Sequence, residues 1–494
     1  MKTKIYLTSL LCIGFLSCDD SLNVEPETFV SGSVYYKNAD QVESAVNGVY
    51  SVLQNLHTSQ NFWMFTETRS DNTTYQYNIN SRCCITREQI DEFLNTSTDR
   101  FTEGFWNGLY NGVQQTNVII DRIDGADIPD QIKKNQFIGE AKFIRGLLYF
   151  HLVRLFGEIP LRIEEVKGPS DAFTETKASR EQVYNQIILD LQDAVTKLPE
   201  QYGSTDVGRA TKGAALTLLG DVYLTLKDYT NTIETLKQVT QLGYQLVPNY
   251  ANIFDPNNKN NSESIFEIQF NSGVEGEASN FIYNFGPFSA EAYLTGFQGQ
   301  LGGLNIPTPS LVNAYEVGDK RKDASIGYYS DPVNSNLFES FPGDSIPYTK
   351  KYNHPPYEIV GRTNDNWPVY RYAGALLMLA EALNEEGRTG EAEVYLNLVR
   401  LRARLAPISG LGKDAFRDAV YHEERVELAF EDKRWYDLLR TDRAIEVMTQ
   451  HGIEERNRLA RVGPESFVID PFKLVFPIPE TEIRLNGFEQ NPGY

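Results

Sequence analysis

The chain has 494 residues, 41% of them hydrophobic and 12% aromatic, with a formal net charge of −21. That size supports a large buried core, and a surface so acidic repels phosphate backbones and anionic headgroups, which argues against nucleic acid and peripheral membrane docking. Among the four cysteines, Cys12, Cys18, Cys83 and Cys84, no pair has metal-ligand spacing, so no metal site is expected.

Lys2 and Lys4 precede an apolar stretch from Ile5 to Leu16 that is too short to span a bilayer, which needs about 20 residues. Residues 1–17 therefore read as a signal peptide. Phe15-Leu16-Ser17-Cys18 resembles a bacterial lipobox, which makes Cys18 the expected acylation site, followed by Asp19 and Asp20. Loss of Lys2 and Lys4 takes the charge from −21 to −23. Asp19-Asp20 resembles the acidic signal that sends bacterial lipoproteins to the outer face of the outer membrane. Several acyl chains at Cys18 give stable anchoring, so the expected protein is tethered there rather than embedded.

Helical periodicity predicts helices at 39–56, 102–123, 131–156, 180–198, 209–226, 229–242, 370–386, 390–405, 413–431 and 434–449. Ser179 with Gln182 forms a capping box, and Gly387 followed by Thr389 stops one helix and starts the next. Two helix pairs share one spacing: Leu216, Leu219, Gly220, Tyr223, Thr232, Leu236, Val239 and Leu376, Leu379, Ala380, Leu383, Ala392, Leu396, Val399. This is the grammar of a tetratricopeptide (TPR) repeat, in which a small residue lets paired helices approach while large ones fill the groove. The expected fold is mainly α, a TPR-type superhelix with helices over about 102–242 and 370–449, in a single domain spanning 18–494. It carries a loop-rich insert at 243–369 with short strands, one near Ser264–Phe270, and an irregular loop at 57–101.

These two irregular blocks are the expected binding face, because loops on a rigid scaffold carry function. The first supplies Asp71, Asn72, Tyr75, Tyr77 and Arg82; the second supplies Tyr283, Phe288 and Tyr293, with Trp367 just before the third helix pair. Tyrosine and tryptophan suit sugars, since the ring face packs on C–H surfaces while the polar tip hydrogen-bonds. Cys83-Cys84 reads either as a vicinal disulfide presenting a rigid apolar face or as two thiols. Trp106 and Trp435 read as helix-packing residues. No nucleophile elbow, P-loop, HExxH or dinucleotide glycine pattern occurs, so neither catalysis nor a cofactor is expected.

The opening Cys18-Asp19-Asp20-Ser21-Leu22-Asn23-Val24-Glu25-Pro26, the segment Arg69-Ser70-Asp71-Asn72 and the helix from Glu140 to Phe150 with its exit Leu155-Phe156-Gly157-Glu158-Ile159-Pro160 resemble the SusD/RagB family of nutrient-binding lipoproteins. So do Glu423-Glu424-Arg425-Val426-Glu427-Leu428-Ala429-Phe430-Glu431, Arg434-Trp435-Tyr436-Asp437-Leu438 and the ending Gln490-Asn491-Pro492-Gly493-Tyr494. The resemblance implies a TPR superhelix with a variable lobe, capture of a glycan or oligosaccharide without catalysis, and a SusC-like TonB-dependent transporter as partner. Some members take peptides, so a peptide cargo stays open, as does a TPR adaptor that binds only protein.

Overall fold

The computed structural model describes residues 35–77, 85–168, 171, 173, 176–330, 345–459 and 461–494. Cys18 with its lipobox, and Arg82, Cys83 and Cys84, lie outside the described residues. The fold is mainly α, as expected, with 53% of the described residues helical.

The scaffold begins with α1 (Ala39–Thr58), α2 (Arg100–Arg122), α3 (Gln131–Phe156), α4 (Arg180–Lys197), α5 (Lys212–Thr225) and α6 (Tyr229–Val239). It resumes with α7 (Tyr372–Glu385), α8 (Thr389–Arg402), α9 (Lys413–Glu427), α10 (Arg434–Arg440) and α11 (Ala444–Arg458). Side-chain caps set the starts by satisfying N–H groups that lack a helical partner. Asp99 accepts from the Phe101 and Thr102 amides ahead of α2, Asp130 does the same for α3, and Ser179 and Gln182 form the reciprocal box of α4. Gly387 at φ 74° ends the turn after α7 in a conformation that costs glycine little.

Each of the first helices packs on the next, from α1 against α2 through α5 against α6. From Phe137 to Phe156 nearly every residue of α3 is buried, as expected of a helix that is apolar on all sides. The two pairs matched in sequence, α5–α6 and α7–α8, are adjacent in space because α6 packs directly on α7. Lys237 reaches Glu391 at 2.7 Å across that junction, so the long insert leaves the helical array without interrupting it. Gly220 does what the repeat spacing predicts: a β-carbon there would lie 2.5 Å from Leu236 Cδ2. Gly220→Ala is expected to cost about 1–3 kcal/mol through overpacking, measured as a drop in urea midpoint with unchanged slope.

Several predicted boundaries move. The helix expected at 209–226 starts at Lys212, because the Thr211 hydroxyl caps it by accepting from the Ala214 amide. The one expected at 370–386 starts at Tyr372, since Trp367–Arg371 forms a strand instead. The one expected at 413–431 stops at Glu427, ahead of left-handed Phe430 and Asp432. The helix expected at 434–449 is two, α10 and α11, broken at Asp442, whose short polar side chain tolerates φ 58°.

The strands form two-stranded antiparallel ribbons: β1 (Thr73–Thr74) with β5 (Ile306–Pro307), β2 (Ile159–Pro160) with β3 (Lys177–Ala178), β4 (Ser264–Ile268) with β8 (Trp367–Arg371), and β6 (Ile326–Ser330) with β7 (Ser345–Thr349). β4 is the strand expected near residue 264, and its pairing with β8 closes the base of the insert.

A buried ionic lattice fastens the insert to the C-terminal helices. Glu423, Glu427 and Glu431, four residues apart, project from α9 and its exit. Arg371 of β8 binds Glu263 at 2.6 Å, Glu427 at 2.9 Å and Glu431 at 2.7 Å. Arg321 binds Glu423 at 2.5 Å and Asp319 at 2.7 Å, and Lys351 binds Glu431 at 2.6 Å. Burial alone would raise the Glu427 carboxyl, but Arg402, Arg371 and Arg321 together hold it well below the usual carboxylate range.

Glu67 behaves oppositely. Burial, then the neighbouring Asp432, pushes its carboxyl from 4.5 up to about 8. The unfolded chain releases this proton near 4.5 while the folded chain keeps it, so this group's contribution to stability falls as pH rises from about 4.5 to about 8. Glu67→Gln is therefore expected to flatten the decline in melting temperature between pH 5 and pH 8; an unchanged slope would contradict the assignment.

Candidate ligand-binding face

The two irregular blocks are stitched together by residues more than 200 positions apart in sequence. Thr73 pairs with Pro307 and Thr74 with Ile306. The Gln76 amide donates to the Gly303 carbonyl at 2.6 Å, and Gln76 Oε1 accepts from the Phe288 amide at 2.8 Å. The Thr308 hydroxyl donates to the Asp71 carbonyl at 2.8 Å, and Trp63 packs edge-on against Phe285 at 5.0 Å. Gly303 sits at φ 60°, with its missing β-carbon 2.8 Å from the Phe288 ring and 3.0 Å from Gln76 Cβ. Only glycine fits that junction.

Four of the residues expected on the face lie in the interior. Asp71 is 4% exposed and pairs with Arg434 and Arg425, each at 2.8 Å; these guanidinium groups overcome its desolvation and hold it ionised below the usual range. Asn72 is fully buried, and its Oδ1 accepts from Arg425 Nε at 2.9 Å. The Tyr75 hydroxyl donates to Glu92 at 2.5 Å from a buried ring. Trp367 is 1% exposed and stacks on Tyr352 at 4.8 Å and 8°. All four are enclosed by the protein, so they brace the face rather than touch a ligand. Trp106 and Trp435 are buried packing residues, as expected.

The other four stay accessible. Tyr293 is 70% exposed and lies 5.5 Å from Tyr329 of β6, whose hydroxyl donates to the Ser289 carbonyl at 3.1 Å. Phe288, one residue before that carbonyl, is half-buried and contacts Gln76 beside half-buried Tyr77. Arg461 lies between two rings, 4.6 Å from Tyr75 and 4.3 Å from Tyr77, which stiffens that edge. Tyr293 and Tyr329 pair ring to ring, while hydrogen bonds through Gln76 and the Ser289 carbonyl tie Phe288 and the Tyr77 segment to the same edge. Half-buried Tyr283 instead turns toward Tyr357, 6.3 Å away. The sequence reading missed Tyr329 and Tyr357. The Tyr328-Tyr329 pair in a strand of alternating exposure is the signal that marks the first.

Such a surface offers stiff rings with phenol and amide groups at their edges, and the core beneath it is the small cluster of Ile282, Ala290, Leu294, Leu301 and Tyr348. Among the described residues no group of three or more His, Cys, Asp or Glu side chains could hold a metal ion. None of the described helices is long and apolar enough to cross a membrane. A separate cleft of about 400 Å³ between α2 and the C-terminal segment is lined by Trp106, Tyr110, Arg162 and Leu485. Several of its polar groups are spent internally: the Tyr110 hydroxyl donates to the Pro160 carbonyl, and the Asn117 amide donates to the Arg162 and Glu164 carbonyls.

A TPR-type helical scaffold with an inserted lobe, displaying aromatic side chains where two loop segments join, defines a binding protein of the SusD type. The chain belongs to the SusD/RagB family. A model described as the SusD family matches residues 329–494, and one described as starch-binding, associating with outer membrane, matches residues 22–224. SusD-like protein P2 of Formosa agariphila is 28% identical, with both chains fully covered. Starch-binding protein SusD of Bacteroides thetaiotaomicron is 28% identical over 34% of this chain and 30% of its own. The solved structure of a laminarin-binding SusD-like protein is 27% identical, covers 93% of this chain and all of its own, and superposes with a TM-score of 0.77.

Proposed function

We propose that this protein captures a glycan on the face built from Tyr77, Phe288, Tyr293 and Tyr329, without turning it over, and passes it to a SusC-like TonB-dependent transporter. An acylated Cys18 holds it on the outside of the outer membrane. The observation that carries the glycan reading is the joining of residues 71–77 to 283–303, which sets accessible aromatic rings on a braced scaffold. Ring faces pack on sugar C–H surfaces, and rigid rings lose little entropy on binding. Relatives named for starch and laminarin binding, and a family description that includes the outer membrane, support the cargo and the location. The transporter follows from the family resemblance.

Isothermal titration calorimetry of the mature chain against oligosaccharides from α- and β-glucans, mannans and xylans tests this, with a peptide mixture alongside. Saturable binding to one glycan class, with the sugar recovered intact by chromatography, is the expected outcome. Binding of peptides alone, or release of shorter sugars, would contradict it.

A further inference from the structure

A polar cleft of about 630 Å³ opens in the insert between residues 255–257, Ser272 and the segment 353–365. The aromatic face does not use it, although Tyr357 on its wall lies 6.3 Å from Tyr283. Its lining includes Asp365, which is 1% exposed. Asp365 Oδ1 accepts from His354 Nδ1 at 2.5 Å, and Oδ2 has no donor among the described residues. That bond engages Nδ1 and leaves Nε2 of His354, whose side chain is 27% exposed, to meet a ligand hydroxyl.

Donors stand beside these acceptors. Asn364 uses its Oδ1 to accept from Lys259 Nζ at 2.9 Å and from the Ser272 amide at 3.3 Å, which leaves its amide hydrogens. The Arg362 guanidinium lies on the lining, 3.8 Å from Glu275. The Tyr357 hydroxyl accepts from the His354 amide at 2.7 Å and donates to Asn353 at 3.1 Å, so the ring wall is fixed.

Acceptors and donors interleaved around one fixed aromatic wall match neighbouring hydroxyls, each of which both donates and accepts. Asp255, Glu358 and Asp365 disfavour an anion, while Arg362 and Lys259 disfavour a simple cation. The volume falls within the range of small-molecule sites. We propose that this cleft is a second binding site, which holds a short neutral saccharide by its hydroxyls. The proposal rests on the glycan reading above.

The test is calorimetry of the full mature chain with maltose, laminaribiose, cellobiose and mannobiose and with the corresponding hexasaccharides. His354→Ala and Arg362→Ala are each expected to weaken disaccharide binding at least tenfold; Arg362, on the half-exposed rim, does so without a change in melting temperature. Failure of every disaccharide to bind the unaltered protein, or disaccharide binding by both variants as tight as that of the unaltered protein, would overturn the cleft site. Disaccharide binding that is weakened in Tyr293→Ala but kept in both cleft variants would place the disaccharide on the aromatic face and sink this proposal alone. No binding by any sugar would end the glycan reading and the proposal together.

Discussion

Arg371→Ala is expected to be the most damaging single substitution considered for this chain, destabilising it by about 3–5 kcal/mol. Arg371 is 2% exposed and neutralises Glu263, Glu427 and Glu431 at once. Removing it leaves Glu263 and Glu427 to share Arg402 and Arg321, and Glu431 to Lys351 alone, and under-compensated buried charge is far more costly than a lost surface pair. It also unfastens β8 from the exit of α9, the connection that ties the insert to the C-terminal helices. Lys227–Asp442 supplies the contrast: at 2.6 Å it is as short, but its side chains are 51% and 78% exposed. Lys227→Ala is expected to cost no more than about 1 kcal/mol. Urea titration of the two variants checks this, and a loss below 1 kcal/mol for Arg371→Ala would contradict the account of the lattice.

The second large effect falls on binding. Tyr293→Ala is expected to weaken glycan affinity about tenfold, and Tyr77→Ala with Tyr293→Ala about a hundredfold, since a lost stacking ring is worth roughly 1–1.5 kcal/mol and each 1.4 kcal/mol is a factor of ten. Tyr293 is 70% exposed, so its removal leaves the melting temperature unchanged. Tyr77 carries the Arg461 guanidinium at 4.3 Å, and its removal lowers stability slightly. Calorimetry paired with thermal melts separates the two effects. Unchanged affinity in the double variant would remove these rings from the site.

Much of the scaffold is legible in the residues because its signals are local. A capping box at Ser179, a glycine stop at Gly387 and two matched runs around Gly220 and Ala380 each act within a few turns of helix. The breaks at Phe430, Asp432 and Asp442 are not legible, because a left-handed residue inside an amphipathic run is selected by tertiary contacts. The same limit explains the four misplaced site residues. A loop position says nothing of what covers it, and the partners that bury Asp71 and Tyr75 stand more than 350 residues further on, at Arg425, Arg434 and Arg461. Nothing local marks Trp367 as a strand residue, because its strand partner, β4, lies about 100 residues earlier. The aromatic face was partly legible, since Tyr77, Phe288 and Tyr293 follow from composition. Tyr329 joins them only through the fold of the insert.

Hydrogen–deuterium exchange of the mature chain, with and without the oligosaccharide that binds in calorimetry, reads all of these segments together. If two loop blocks make one glycan surface, residues 72–77, 283–303 and 326–330 become protected in concert, with the same concentration dependence. Protection confined to the cleft between α2 and the C-terminal segment, with those three stretches unaffected, would contradict it.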